Sequence, residues 1–160
     1  MTISSTMWSV LIAIGAILVA VGNINYNSTR DRERALAAGA KAMSMIKTEC
    51  TNNLKQVAAM RQAIANGQMT IDEFQTAAWS IVSSGSLLVQ VDQETIGSVA
   101  EIYYLIGLAN KEQAQMLELT FGIAGSLSNA PQLLQQHIGY LKSDLDRLEP
   151  KLAALGSKIK

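Results

Sequence analysis

The chain has 160 residues and equal numbers of basic and acidic side chains, 13 of each, so its formal net charge is zero at neutral pH. A single cysteine, Cys50, excludes an intramolecular disulfide, and a single histidine, His137, excludes zinc sites that need two or three imidazoles. The basic residues are not interleaved with stacking aromatics, which argues against a nucleic-acid partner.

The first element is an apolar run, Met7 to Val21, followed by a neutral polar stretch from Gly22 to Thr29; no charged side chain precedes Arg30. A bilayer core of about 30 Å takes about 20 mostly apolar residues as a helix. Trp8 and Tyr26 stand about 27 Å apart at helical rise, a spacing that puts one aromatic at each membrane interface. Small residues at Ala20-Val21-Gly22 would suit signal cleavage, but no Lys or Arg precedes Met7, as a signal peptide requires. Between Val10 and Val21 there is no polar face, which argues against a buried helix of a soluble core. The segment is therefore expected to be a retained transmembrane anchor over residues 1–29. Arg30, Arg32, Arg34, Lys41 and Lys47 follow it closely, and such residues stay on the cytoplasmic side, so residues 30–160 are expected there.

Charge is unevenly spread beyond the anchor. Arg30 to Gly67 carries +4, Gln68 to Asn129 carries −6, and Ala130 to Lys160 carries +2. The simplest reading is complementary faces of one helical bundle.

Thr29 to Asn66 reads as a long amphipathic helix. Leu36, Met43, Cys50, Val57 and Ile64 recur every seven residues, with Ile46 and Met60 between them, as in a coiled-coil seam. Cys50 sits on that seam as a small apolar side chain. Asn66-Gly67 ends the helix. Thr70-Ile71-Asp72-Glu73 is a capping box with Met69 and Phe74 as its staple, which predicts a helix starting at Ile71 and burying Phe74, Ala78, Ile81 and Val82. Ser83-Ser84-Gly85-Ser86 breaks it, and Leu87 to Val91 fits either an extended stretch or a loose turn.

Asp92 is placed to cap the next helix, with Glu94 in its first turn and Ile96, Val99, Tyr103 and Ile106 as its buried stripe. Glu94, Glu101 and Glu112 fall on one line and read as a solvated face; Met116, Leu119 and Ile123 carry apolar character onward. Ser128-Asn129-Ala130-Pro131 opens the last helix, in which Leu134, Ile138, Leu141, Leu145, Leu148, Leu152 and Leu155 alternate in steps of four and three. Pro150 is expected to kink or interrupt it.

The sequence holds no phosphate-binding Gly-rich loop and no Gly-x-Ser-x-Gly elbow. A dimetal bundle would need a Glu three residues before His137, where Leu134 stands, so His137 reads as a boundary residue beside the leucine seam. No catalytic, cofactor-binding or metal-binding set can be assembled, and an enzyme is not expected.

What remains is a set of polar residues at core spacing. Asn53 takes a seam position one turn after Glu49, and Asn110 continues the face of Tyr103 and Ile106. Glu49, Asn53, Tyr103 and Asn110 are candidates for a buried polar layer that fixes helix register. The order Glu49, Asn53, Trp79, Asp92, Tyr103, Asn110 resembles that of uncharacterised single-pass prokaryotic membrane proteins with a small helical domain. That resemblance covers Ile46 to Asn110 and implies a helical architecture without implying an activity.

The expected fold is all-α: an N-terminal transmembrane helix, then an antiparallel bundle of about four helices over residues 30–160 with coiled-coil-like seams. The expected function is a membrane-anchored interaction or scaffolding module. Its partners are the lipid bilayer and another protein or a second copy of itself. Two alternatives stand beside it: an extracytoplasmic envelope or lysis component, spanin-like or signal-cleaved, and a small-ligand binder built on Glu49, Asn53 and Tyr103.

Overall fold

A computed structural model describes residues 5–69, 72–84, 88, 91–122 and 128–158, with side chains from residue 18 onward except residues 24 and 25. Four helices are described: α1 Ser5–Ala65, α2 Ala77–Ser84, α3 Gln93–Phe121 and α4 Ala130–Lys158. No strand occurs among the described residues. The chain divides into two compact units, Met1–Ala38 and Gly39–Lys160.

The first unit is the N-terminal part of α1. Met7 to Val21 is helical, but Trp8 and the other side chains up to residue 17 lie outside the described residues. Leu18 to Asn23 are exposed without exception, as is Tyr26. Among the described residues, no helix is long and apolar enough to cross a membrane.

The second unit contains the rest of α1 and the other three helices, with one core. From α1 it buries Ala42, Ile46, Glu49, Cys50, Asn53, Val57, Met60 and Ala63. This corrects the expected heptad seam. Leu36 belongs to the first unit and is 50% exposed; within the second unit Met43 and Ile64 are only partly buried, while Ala42, Glu49 and Ala63 (each one position before the seam) enter the interior. A helix packed against several neighbours needs a wider stripe than a coiled-coil partner does. The end of α1 follows the sequence closely. Gly67 adopts φ +67°, the Gln68 N–H donates to Ala63 O at 2.8 Å, and the Gly67 N–H donates to Ile64 O at 3.2 Å. These are the paired bonds of a glycine-terminated helix, and they satisfy carbonyls that would otherwise lack partners.

The expected helix from Ile71 is the largest correction. Thr70 and Ile71 lie outside the described residues, but Asp72–Thr76 is not helical, and α2 begins only at Ala77. Its first described bond runs from the Ser80 N–H to Thr76 O at 3.0 Å. Phe74, Ala78 and Val82 are buried, whereas Ile81 is exposed. Of the next stretch, residues 85–87, 89 and 90 lie outside the described residues; the Val91 N–H donates to Leu88 O at 3.0 Å, closing a turn.

α3 starts where the sequence places it: the Thr95 N–H donates to the Asp92 side chain at 2.8 Å. It buries Val99, Ile102, Tyr103, Leu105, Ile106, Ala109, Gln113 and Met116. Ile123 lies outside the described residues. α4 buries Leu141, Leu145, Leu148, Leu152 and Leu155 against it, with Leu134 and Ile138 at the edge. Glu94–Lys158, Glu101–Lys151 and Glu112–His137 pair at 3.2, 2.8 and 2.6 Å, which sets α3 and α4 antiparallel. Glu112 is thus not part of a solvated face: its side chain is only 13% exposed. α4 also continues unbroken through Pro150. Pro150 is exposed, so water can reach the Asp146 carbonyl that loses its helical donor.

Helix directions correct the simple antiparallel expectation. Glu49 meets Tyr103 and Met60 meets Gln113, so α1 and α3 run parallel, with α4 opposed to both. Parallel neighbours cannot be joined by a tight turn. The chain between them must travel back along the bundle, and residues 72–84 make that return.

Candidate functional site

The return path begins as an extended strap, Asp72–Thr76, lying between α1 and α3 and antiparallel to both. An extended segment in a helical protein has backbone N–H and C=O groups with no helical partner, and burying them unpaired costs about 1–3 kcal/mol each. Here side chains supply the partners. Asn53, fully buried, accepts from the Gln75 N–H at 2.8 Å and donates to Gln75 O at 2.9 Å. From the other helix, Asn110 accepts from the Phe74 N–H at 2.8 Å and donates to Phe74 O at 3.1 Å. Each carboxamide therefore holds one strap residue by both backbone groups, as a neighbouring β-strand would.

Gln56 and Gln113 both donate to Asp72 O, Gln113 at 3.2 Å. Gln113 is 4% exposed, and its Oε1 has no partner among the described residues. Of the strap side chains only Phe74 is buried; Asp72, Glu73, Gln75 and Thr76 are exposed.

Glu49 continues the arrangement into α2. Its Oε2 accepts from the Ala78 N–H at 2.7 Å, and its Oε1 accepts from the Tyr103 hydroxyl at 2.5 Å. A carboxylate at a helix N-terminus satisfies an orphan donor and complements the dipole, so a residue of α1 caps α2. Trp79 stacks on Tyr103 with ring centroids 5.2 Å apart and planes 11° from parallel. Glu49 also lines an open cleft of about 350 Å³ with Ser44, Met45, Thr48, Asn52 and Gln75.

The site is poor in acid–base chemistry. Burial pushes the Cys50 thiol up to about 11, with the Tyr103 hydrogen bond working against that shift and the Glu49 charge adding to it. Burial first, and then the bond to Glu49, drives the Tyr103 phenol far above its ordinary range. Both groups are held neutral near pH 7, and neither is a nucleophile there. His137 lies apart, paired to Glu112 and edge-on to Tyr140, with ring centroids 6.0 Å apart. Asp144 on the same helix is raised by burial and then by Glu112. Among the described residues no group of three His, Cys, Asp or Glu side chains is placed to hold a metal ion.

The structure thus gathers Glu49, Asn53, Tyr103 and Asn110 around one feature, with Asn110 half-buried and the other three buried. They do not satisfy one another as a helix–helix layer: the asparagines bind the strap, and only Glu49 and Tyr103 bond directly. Sequence reasoning missed Gln56, Gln113 and the strap itself. A buried Gln on the apolar stripe of α3 was the available signal. Of the proposed membrane-interface pair, Tyr26 is exposed and Trp8 lies outside the described side chains. No protein-family model, curated protein or solved structure matches this chain.

Proposed function

We propose that the chain is a single-pass, membrane-anchored interaction or scaffolding module, with its helical bundle on the cytoplasmic side. The observation that carries the anchor is the exposure of α1 on all sides from Leu18 to Asn23: Leu18 and Val19 are 67% and 65% exposed. A helix that is apolar all round is at home in lipid or buried in protein, and no described part of the first unit covers these residues. In the sequence, the uncharged run from Met7 to Thr29, most of whose apolar side chains lie outside the described residues, is long enough for a span, and the following arginines favour this orientation. The interaction role is supported by the open cleft that Glu49 lines between α1 and α2.

The test is alkaline carbonate extraction of membranes carrying the full chain, together with C-terminal reporters active on only one side. The chain should stay in the membrane pellet, deletion of residues 7–21 should release it, and the cytoplasmic reporter should be active. Complete extraction of the intact chain would overturn the anchor; activity of the opposite reporter would reverse the orientation. Ser9, Ala13, Ala16 and Ala20 are spaced to form a small-residue face in the anchor. Replacing Ala13 and Ala16 by Leu should lower self-association in a membrane two-hybrid assay.

A further inference from the structure

We propose that the cradle between α1 and α3 is a groove for an extended polypeptide segment bearing an aromatic side chain, and that the strap occupies it in place of that partner. The proposal rests on the interaction-module reading and names the kind of partner that module takes.

Three observations carry it. The first is the mode of grip. Asn53 and Asn110 hold the N–H and C=O of consecutive residues, and these contacts ignore side-chain identity. Only Phe74 is read as a side chain, being 2% exposed among residues of the bundle core. Backbone hydrogen bonds with one or two side-chain pockets are the general means by which proteins bind extended peptides.

The second is a conflict between local and global preference. Thr70-Ile71-Asp72-Glu73 carries the signature of a helix start, and continuing α2 backward through Phe74 would satisfy it. The cradle instead holds residues 72–76 extended. A segment with one preference when free and another when bound is a two-state element, and such disagreements concentrate at functional sites. Withdrawal of the strap gives its backbone a helix to join, which offsets the hydrogen bonds it loses.

The third is the unused valence. Gln113 donates to the strap, yet its buried Oε1 accepts from no described residue. A segment presenting one further N–H there makes a bond that the strap does not. Extension of α2 back through Phe74 would give the Ala78 N–H a helical partner in Phe74 O and release it from Glu49.

The experiment uses the full chain in detergent and a fluorescein-labelled peptide with the sequence of residues 72–78, followed by fluorescence anisotropy. The Phe74→Ala chain, whose own strap has lost its anchor, should bind the peptide. The unaltered chain should bind it at least about tenfold more weakly, because its strap competes from within the same molecule. A peptide N-methylated at the positions of Phe74 and Gln75 loses both backbone donors and should bind about tenfold more weakly or worse. Absence of binding to a folded Phe74→Ala chain, or equal binding of the methylated peptide, would overturn the proposal.

Hydrogen exchange on the unaltered chain gives a second reading that survives if Phe74→Ala fails to fold. The Phe74 and Gln75 amides should exchange at least about tenfold faster than those of Leu145 and Leu148 in α4, through an opening confined to the strap. Exchange in step with α4 would mean that the strap leaves only when the bundle unfolds, and no partner could then take its place. Both measurements are made on solubilised protein. A failed carbonate extraction test therefore leaves them intact, and their failure leaves the anchor intact.

Discussion

Asn53→Leu removes one side chain and leaves two backbone groups without partners. The Gln75 N–H and C=O lose bonds of 2.8 and 2.9 Å, and Leu supplies neither a donor nor an acceptor. Each unsatisfied buried group costs about 1–3 kcal/mol, and the exposed side of Gln75 admits some water, so a total loss of about 2–4 kcal/mol is expected. For a compact unit of this size that lowers the midpoint of thermal unfolding by roughly 5–15 °C. The neighbouring Asn52 is the internal control: it is exposed and makes only a 3.4 Å contact with the Gln75 side chain. Asn52→Leu should change stability by no more than about 0.5 kcal/mol. Urea unfolding in detergent, followed by Trp79 fluorescence in a Trp8→Phe background, measures both. Equal stability of Asn53→Leu and the parent would refute the claim that carboxamides hold the strap.

Three further outcomes follow from the same geometry. Tyr103→Phe deletes the hydroxyl that donates to Glu49 at 2.5 Å and should cost about 1.5–3 kcal/mol in the same unfolding assay. The Cys50 thiol is raised from an ordinary 9.0 to about 11, so the unfolded chain releases its proton first. Its contribution is fully present below pH 9 and is lost between pH 9 and about 11, up to about 2–3 kcal/mol; native Cys50 should also resist a disulfide reagent at pH 8 until the chain unfolds. Pro150→Ala restores a donor for the Asp146 carbonyl within an already continuous helix and should stabilise α4 by about 1–3 kcal/mol, read as a higher unfolding midpoint.

Much of the helical framework was legible because its signals are local. Asp92 caps α3 through its own side chain, Gly67 ends α1 through its own φ, and the leucines of α4 face one way because their spacing allows nothing else. The strap was not legible, for the opposite reason. Thr70 to Glu73 carry the signature of a helix start, whereas the extended state of residues 72–76 is imposed by side chains on α1 and α3 that lie 22 and 36 positions away in sequence. The polar candidates were visible as misfits on apolar stripes, but a stripe does not say what a misfit binds. Asn53 and Asn110 look toward backbone, which no pattern of side chains reveals. The same limit applies to Glu112, whose partner His137 belongs to another helix. Leu36 was misplaced because the seven-residue repeat runs back into the first unit, Met1–Ala38, where no described residue is buried.

The parallel course of α1 and α3 also orders events during synthesis. α1 leaves the ribosome first, carrying Glu49 and Asn53 on the face that will become core. Gln75 is 22 residues away from Asn53, and Tyr103 is 54 residues away from Glu49. Until those residues emerge, the nascent helix keeps two hydrated polar groups in the middle of its apolar stripe, and that penalises clustering with other nascent chains or sinking onto the lipid surface. α3 and α4 need only close a short connection to pair, so their hairpin can form as a unit before α1 docks. The strap is laid down between the two, and its asparagine clamps close only once both helices are present.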